Sequence, residues 1–328
     1  MTRVVVALGG NALIRRGEAG SIEVQHHNLL GAARALVDLE GMGHELVLTH
    51  GNGPQVGFLA LEADAAAATV PPPPLDVLVA ESMGQIGYLL AQAVTARLVA
   101  KGRDRPVTVV LTRTVVDAAD GGFAAPSKPV GPVYDEPTAR DLAKTRGWTV
   151  ARDGAGWRRV VPSPEPLEIV EASSLRALVD SGAIVIASGG GGIPVARNAD
   201  GALTGLEAVV DKDLAAVLLA EAVGAQALLL LTDVPAVRLG RGTAGESGIA
   251  VLTLAQAAAG VADGTFPGGS MGPKVTAAAA FVRRTGGFAA IGALDDAAAV
   301  LAGRAGTRLV ADDAAAMSPA LPVGAAAR

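Results

Sequence analysis

The sequence predicts an α/β protein: a three-layer sandwich with helices on both faces of a mainly parallel sheet, carrying a small inserted β-rich subdomain. Three observations lead there. Short, branched apolar runs alternate with helical stretches from residue 4 to residue 310, the pattern of βα units around a parallel sheet. Two successive runs end in Gly/Asn turns, Gly9-Gly10-Asn11 and Gly51-Asn52-Gly53. Proline, glycine and charged residues dominate between about 117 and 166, and both tryptophans fall there. A single domain over 1–312 with an insert at about 117–166 follows. Residues 313–328, rich in Ala and Pro, are expected to form a loose tail.

Residues 4–8 are the first strand, closed by the Gly9-Gly10-Asn11 turn. A helix over 23–40 follows, with Leu29, Ala33, Leu36 and Val37 at helical spacing and Gly41 and Gly43 to stop it. Residues 45–49 are the second strand. Pro71 to Pro74 form a stiff surface connection. Residues 77–100 read as a long helix, apolar around much of its circumference, so either deeply buried or half-covered by a second subunit. Residues 107–111 are a strand. In the insert, 148–152 and 157–161 flank Asp153-Gly154-Ala155-Gly156, a β-hairpin with a tryptophan on each arm. Prolines 126, 129 and 132 hold Lys128 in extended backbone.

A helix over 171–181 leads to the strand 183–188 and then to four glycines, 189–192. Glycines at the C-terminal edge of a parallel strand free the backbone where such sheets bind ligands. Residues 207–222 read as a helix carrying Asp211, Lys212 and Asp213 in or near its first turns. The strand 227–231, a helix over 254–261, a helix from Gly272-Pro273 to about 284, the strand 288–291, a helix from 295 and the strand 307–310 complete the pattern.

Bulk composition narrows the function. At 328 residues, half of them hydrophobic, the chain can bury a large core, and at 3% aromatic that core must be mainly aliphatic. A net charge of -5 without a long basic run argues against nucleic-acid binding. The absence of cysteine excludes disulfides, thiolate metal sites and cysteine nucleophiles. The four histidines form no metal-ligand pattern. No apolar run reaches the roughly 18 residues of a membrane span, and the first strand is too short for a signal peptide, so a cytoplasmic location is expected.

The candidate chemistry lies in two lysines, Lys274 and Lys212; Lys128 by itself reads as a solvated surface lysine. Lys274 sits at a helix start beside Gly268, Gly269, Ser270 and Gly272. A helix N-terminus carries about +0.5 charge, so a lysine there calls for an anion, and such a segment suits a phosphate chain. The Walker A spacing does not occur. Lys212 lies between two aspartates, either as a surface charge cluster or with Lys212 on a phosphoryl group and Asp211 as a hydrogen-bonding or magnesium-orienting residue. Asp233, at the end of an apolar strand, suits a nucleotide contact or a turn. The two Gly/Asn turns are either ordinary βα turns or an anion pocket built from backbone N–H groups with Asn11 and Asn52. His50 reads as structural. No G-x-G-x-x-G follows the first strand, which argues against a dinucleotide-dependent dehydrogenase.

These residues together resemble carbamate kinase, in the amino-acid-kinase superfamily. The resemblance rests on Ala7-Leu8-Gly9-Gly10-Asn11, Thr49-His50-Gly51-Asn52-Gly53-Pro54, Lys128-Pro129-Val130-Gly131-Pro132, Asp211-Lys212-Asp213-Leu214, Leu231-Thr232-Asp233-Val234 and Gly269-Ser270-Met271-Gly272-Pro273-Lys274. It also takes in residues 157–164 and 188–194, and runs from the N-terminus to about 310.

The resemblance implies reversible phosphoryl transfer between ATP and carbamate, giving ADP and carbamoyl phosphate. Magnesium would arrive on the nucleotide, with no direct protein ligand. It implies catalytic roles for Lys128, Lys212 and Lys274, and a carbamate side at Gly9, Gly10, Asn11, Gly51, Asn52 and Gly53. The implied nucleotide side is Ser188, Gly189, Gly190, Asp211, Thr232, Asp233, Val234, Ser270, Met271 and Lys274. It further implies a lid-like role for the insert and a homodimer contact on the long helix. Similar proteins place an aromatic residue near the adenine about where this chain has Gly240 and Arg241. The rivals are another kinase of the superfamily acting on an acyl or phosphate substrate, and a nucleotide-binding regulator without catalysis.

Overall fold

The computed structural model describes residues 1–15, 17–18, 20–240, 246–266 and 271–313. Among these, eight strands form the main sheet. Their order is Val251–Thr253, Thr307–Val310, Phe288–Ala293, Ala227–Thr232, Arg3–Leu8, Glu45–His50, Ile184–Ile186 and Val107–Val109. The six from Phe288–Ala293 to Val107–Val109 run parallel. The strand Thr307–Val310 turns antiparallel, which makes the sheet mixed at one edge.

Strand periodicity divides the core into two layers. Val5, Ala7, Leu228 and Leu230 point to one face and pack with α5 (Ala172–Asp180), α6 (Lys212–Val223), α7 (Leu254–Ala262) and α8 (Met271–Thr285). Val4, Val6, Leu8, Leu229 and Leu231 point to the other, with α1 (Ile22–Gly41), α3 (Leu75–Ala100) and α9 (Ala297–Leu301). A strand covered on both faces needs no polar alternation, which is why these runs are continuously apolar. The three-layer α/β sandwich expected from the sequence is therefore the observed one.

Several elements differ from expectation. α2 (Gly53–Ala66) follows directly from the second Gly/Asn turn; its Gly-Pro start resembled a turn, yet proline is favoured in a first helical turn. The insert holds α4 (Glu136–Arg146). Its signals were present: Asp135 caps it by accepting from the Thr138 N–H at 2.8 Å, and Gly147 ends it in the left-handed region. A second sheet, ordered Leu203–Gly205, Ile193–Arg197, Arg113–Val116 and Pro166–Ile169, was not anticipated. The helix expected over 207–222 begins only at Lys212. Residues 207–210 are held outside it, because the Glu207 carboxylate accepts from the Leu75 N–H and the Val209 N–H donates to Pro162.

α3 meets the length and mean hydropathy of a membrane span, which a search for unbroken apolar runs does not register. Its Ile86, Leu90, Val94 and Leu98 are buried in the core beneath the sheet.

The insert folds as a three-stranded antiparallel sheet, Lys128–Tyr134, Gly156–Val161 and Val150–Asp153, beside α4. The expected hairpin is there, but its first arm starts at Val150, so Trp148 precedes the strand and only Trp157 lies on an arm. The first strand docks on α2 where two glycines cross: a Cβ at Gly57 would lie 2.0 Å from the Gly131 Cα. That crossing ties Lys128, three residues before Gly131, to the helix that opens at the Gly51-Asn52-Gly53 turn.

The fully buried Leu230 tests the two-faced core. Leu230→Ala is expected to lower unfolding free energy by about 3 kcal/mol in urea titration, without changing the fold by circular dichroism. A loss below about 1 kcal/mol would contradict this placement.

Candidate active site

Three chain segments bring lysines to the C-terminal edge of the main sheet. Lys212 opens α6, whose N-cap is Asp211: its Oδ1 accepts from the Asp213 N–H at 2.8 Å and the Leu214 N–H at 3.3 Å. The other oxygen of Asp211 pairs with Lys128 Nζ at 2.6 Å, so the insert's lysine reaches the main domain. Asp213, one turn-position on, is buried and bridges two lysines. Its Oδ1 meets Lys212 Nζ at 2.5 Å and its Oδ2 meets Lys274 Nζ at 2.9 Å.

Lys128, Lys212 and Lys274 are thus joined through two carboxylates of one helix start. Three ammonium groups against two carboxylates leave one net positive charge. The anion that Lys274 requires is, in this state, the Asp213 carboxylate. Asp213 was quoted in the sequence motif but given no role; its signal was the Asp-Lys-Asp spacing at a helix start.

The electrostatics follow from burial and pairing. Burial pushes the Asp213 carboxyl up, but Lys212 and Lys274 outweigh it and hold the group well below the usual carboxylate range. Burial, and to a lesser extent Asp213, pushes Asp211 up, while Lys128, by charge and hydrogen bond, and Lys212 pull it down, with a net downward shift. Lys212 is pulled below the usual lysine value by burial first, with Asp213 working against that and Lys274 adding to it.

The two Gly/Asn turns converge on Lys212. A Cβ on Gly51 would lie 3.5 Å from Lys212 Cδ and 3.6 Å from the Gly10 amide nitrogen. The expected anion pocket loses two donors, however. The Gly9 N–H is spent on the Leu231 carbonyl and the Gly51 N–H on the Leu8 carbonyl, because both extend the sheet's ladder. The Asn52 amide donates to Ser82 Oγ at 2.9 Å. α2 begins at Gly53, beside the insert: a Cβ there would lie 3.3 Å from the Pro129 carbonyl oxygen.

A cleft of about 650 Å³ opens between the insert and the sheet edge. Gly9, Gly10, Thr232, Asp233, Val234, Met271 and Lys274 line it from the main domain, and Val133, Arg158 and the 153–156 turn from the insert. Ser188, Gly189 and Gly190 are buried and do not line it, and neither do Lys128, Asp211 and Lys212. Ser188 has φ 51°, held by its carbonyl accepting from Thr49 Oγ1 and its N–H donating to Thr112 Oγ1. A Cβ on Gly189 would collide with the His50 ring and one on Gly190 with Asn52, so glycine is required at both. Ser270, Arg241, residues 314–328 and the Asn11 side chain lie outside the described residues.

The sequence model of the amino acid kinase family matches residues 2–293. The chain belongs to that family. Among its amino acid kinase relatives, carbamate kinase of Thermococcus kodakarensis is 48% identical over 314 residues, covering 94% of this chain and 99% of the relative. Carbamate kinase of Escherichia coli K12 is 48% identical over 307 residues, covering 94% and 99%. Carbamate kinase from Giardia lamblia bound to AMP-PNP superposes with a TM-score of 0.86 at 41% identity, covering 95% of this chain and 99% of that one. The same protein bound to citric acid gives a TM-score of 0.91 at 40% identity over the same shares. This amino acid kinase is accordingly a carbamate-kinase-like phosphotransferase.

His50 supports the site from beneath. Its Nδ1–H donates to the Gly51 carbonyl at 3.0 Å, while Nε2 is buried without a partner. Burial lowers its pKa from 6.5 to about 4; the Gly51 carbonyl works against this and Lys212 adds to it. The unfolded imidazole takes a proton near pH 6.5, the folded one only near pH 4. Between those values the unfolded state holds more protons, so stability falls as pH falls. Unfolding free energy is expected to drop between pH 7 and 4.5, with a His50 share of order 2 kcal/mol. In His50→Gln that share should vanish. Identical pH slopes in both proteins would contradict it.

Proposed function

We propose that the chain catalyses reversible, magnesium-dependent transfer of a phosphoryl group between ATP and carbamate, giving ADP and carbamoyl phosphate, with net use toward ATP. The observation that carries this reading is the convergence of Lys128, Lys212 and Lys274, from three distant segments, on Asp211 and Asp213. The carbamate kinases among its relatives support the choice of substrate.

The reaction suits these residues. A carbamate oxygen, already an anion, forms a bond to the γ-phosphorus as the bond to the ADP oxygen breaks. No proton has to be removed, and His50, neutral at pH 7, is not required as a base. The obstacle is repulsion: two unit charges 4 Å apart at an effective dielectric near 20 cost about 4 kcal/mol. Lys274 would hold the nucleotide phosphates and Lys212 the travelling group, with Asp213 fixing both ammonium groups. Lys128 would complete the cage from the insert, acting as a lid over the cleft. Gly9, Gly10 and the Gly51-Asn52-Gly53 turn would face carbamate, with Asn11 beside them. Thr232, Asp233, Val234, Ser270 and Met271 would face the nucleotide, and Ser188, Gly189 and Gly190 would back it.

Hard divalent ions take oxygen ligands, and Asp211 is the carboxylate that would orient magnesium on the phosphates; when bound, the ion supplies further charge neutralisation. Among the described residues no group of three or more acidic or histidine side chains forms a metal cage. A homodimer through α3 belongs to the same reading, supported by the exposed Tyr88 and Val99 on that helix.

ATP formation from ADP and carbamoyl phosphate by the purified chain tests the reading. A parallel screen with glutamate, aspartate, acetylglutamate and UMP separates it from related kinases; turnover of UMP but not carbamate would reverse it. Lys212→Met is expected to reduce kcat by at least about 100-fold while ADP binding stays measurable by calorimetry. Near wild-type kcat in that variant would remove Lys212 from its role.

A further inference from the structure

One cation on the cleft wall stands apart from the three lysines. Arg158 lies on the insert strand Gly156–Val161 and lines the cleft with Gly10, Thr232, Asp233 and Lys274. Strand alternation separates it from its neighbours. Trp157 stacks with Arg140 at 5.4 Å and Arg159 with Trp148 at 5.0 Å, on the face away from the cleft. Across the hairpin Arg158 pairs with Ala151, a side chain too small to cover it.

The guanidinium is only partly committed. Nη2 donates to the Gly131 carbonyl at 2.7 Å and Nη1 pairs with Asp153 Oδ2 at 3.1 Å, while Nε is buried without a partner. The Asp153 carboxylate is 43% exposed against 15% for Arg158. A carboxylate that keeps much of its contact with water gains little from pairing, so Asp153 is readily exchanged for a better anion. A guanidinium fork matches a phosphate in two-point contact, which an ammonium group cannot do.

We propose that Arg158 is a phosphate-binding residue for the nucleotide. It exchanges the Asp153 carboxylate for the phosphate chain, and the Gly131 carbonyl keeps the guanidinium aimed. This rests on the phosphotransfer reading above. The nucleotide is favoured over carbamoyl phosphate because Arg158 shares its cleft with Thr232, Asp233, Val234, Met271 and Lys274 from the nucleotide side, against only Gly9 and Gly10 from the carbamate side; Gly51, Asn52 and Gly53 are not part of that lining. The insert then brings two cations to the site, Lys128 and Arg158, on adjacent paired strands.

The test is ADP titration by calorimetry on the full chain, with steady-state kinetics in ADP and in carbamoyl phosphate. Arg158→Ala is expected to weaken ADP at least about 10-fold and raise the KM for ADP, with the KM for carbamoyl phosphate changed less than about 2-fold. Arg158→Lys should recover only part of the loss. Asp153→Asn, which removes the competing carboxylate, should tighten ADP. An arginine that merely braced the hairpin would lower the melting temperature and leave ADP affinity alone. ADP affinity within about 2-fold of wild type in Arg158→Ala, or in Arg158→Lys should the alanine variant not fold, overturns the proposal. So does a raised KM for carbamoyl phosphate with ADP affinity intact. ATP formation by the wild-type chain is scored separately. Its failure would sink the choice of substrate and leave the ADP-binding result for Arg158 standing.

Discussion

The Asp213 carboxylate, buried between two ammonium groups, is the interaction on which the rest of the site depends. Taking Lys212 and Lys274 out of water is costly, and breaking a buried pair by removing one partner typically costs about 3–5 kcal/mol. Asp213 offsets that cost for both lysines at once. Its position two residues into α6 adds the favourable field of a helix N-terminus. The same carboxylate joins α6 to α8, so positioning the charges and packing the layer are one event.

The second carboxylate extends the arrangement across the insert. Asp211 caps α6 with one oxygen and takes Lys128 with the other. One helix start thereby organises cations from residues 128, 212 and 274. The crossing of Gly57 and Gly131 sets how closely the insert approaches, and packing of Val130 and Val161 against Val56 and Val79 adds to it. In the proposed reaction the lysine cluster keeps one positive charge beyond its two carboxylates to meet two anions, and charge already in place needs no rearrangement when bonds change.

Much of this was legible in the residues. The apolar runs at 4–8 and 227–231 are buried on both faces, and such burial leaves an unmistakable sequence trace. Glycine turns after consecutive parallel strands must share an edge, and Lys212 and Lys274 stood out by their helix-start contexts, whereas Lys128 looked like a surface lysine until the family resemblance gave it a role. What escaped notice depended on partners far along the chain. Glu207 looks helical by itself, and only its bond to the Leu75 N–H shows why the helix waits for Lys212. Asp213 could not be told from Asp211 by spacing, because each role is set by which lysine arrives from elsewhere. Lys274's anion was sought in a ligand, whereas the chain supplies one itself. Arg158 sat in a charged hairpin where alternation alone could not say which face the cleft would occupy.

The most direct measurement is kcat for ATP formation in Asp213→Asn, scored per folded molecule by circular dichroism. The side chain keeps its shape and loses its charge, so Lys212 and Lys274 lose their shared anchor. A fall of at least about 100-fold is expected, with the folded fraction still measurable. A kcat within about 3-fold of wild type would contradict the account, because two lysines positioned without that charge would not need it.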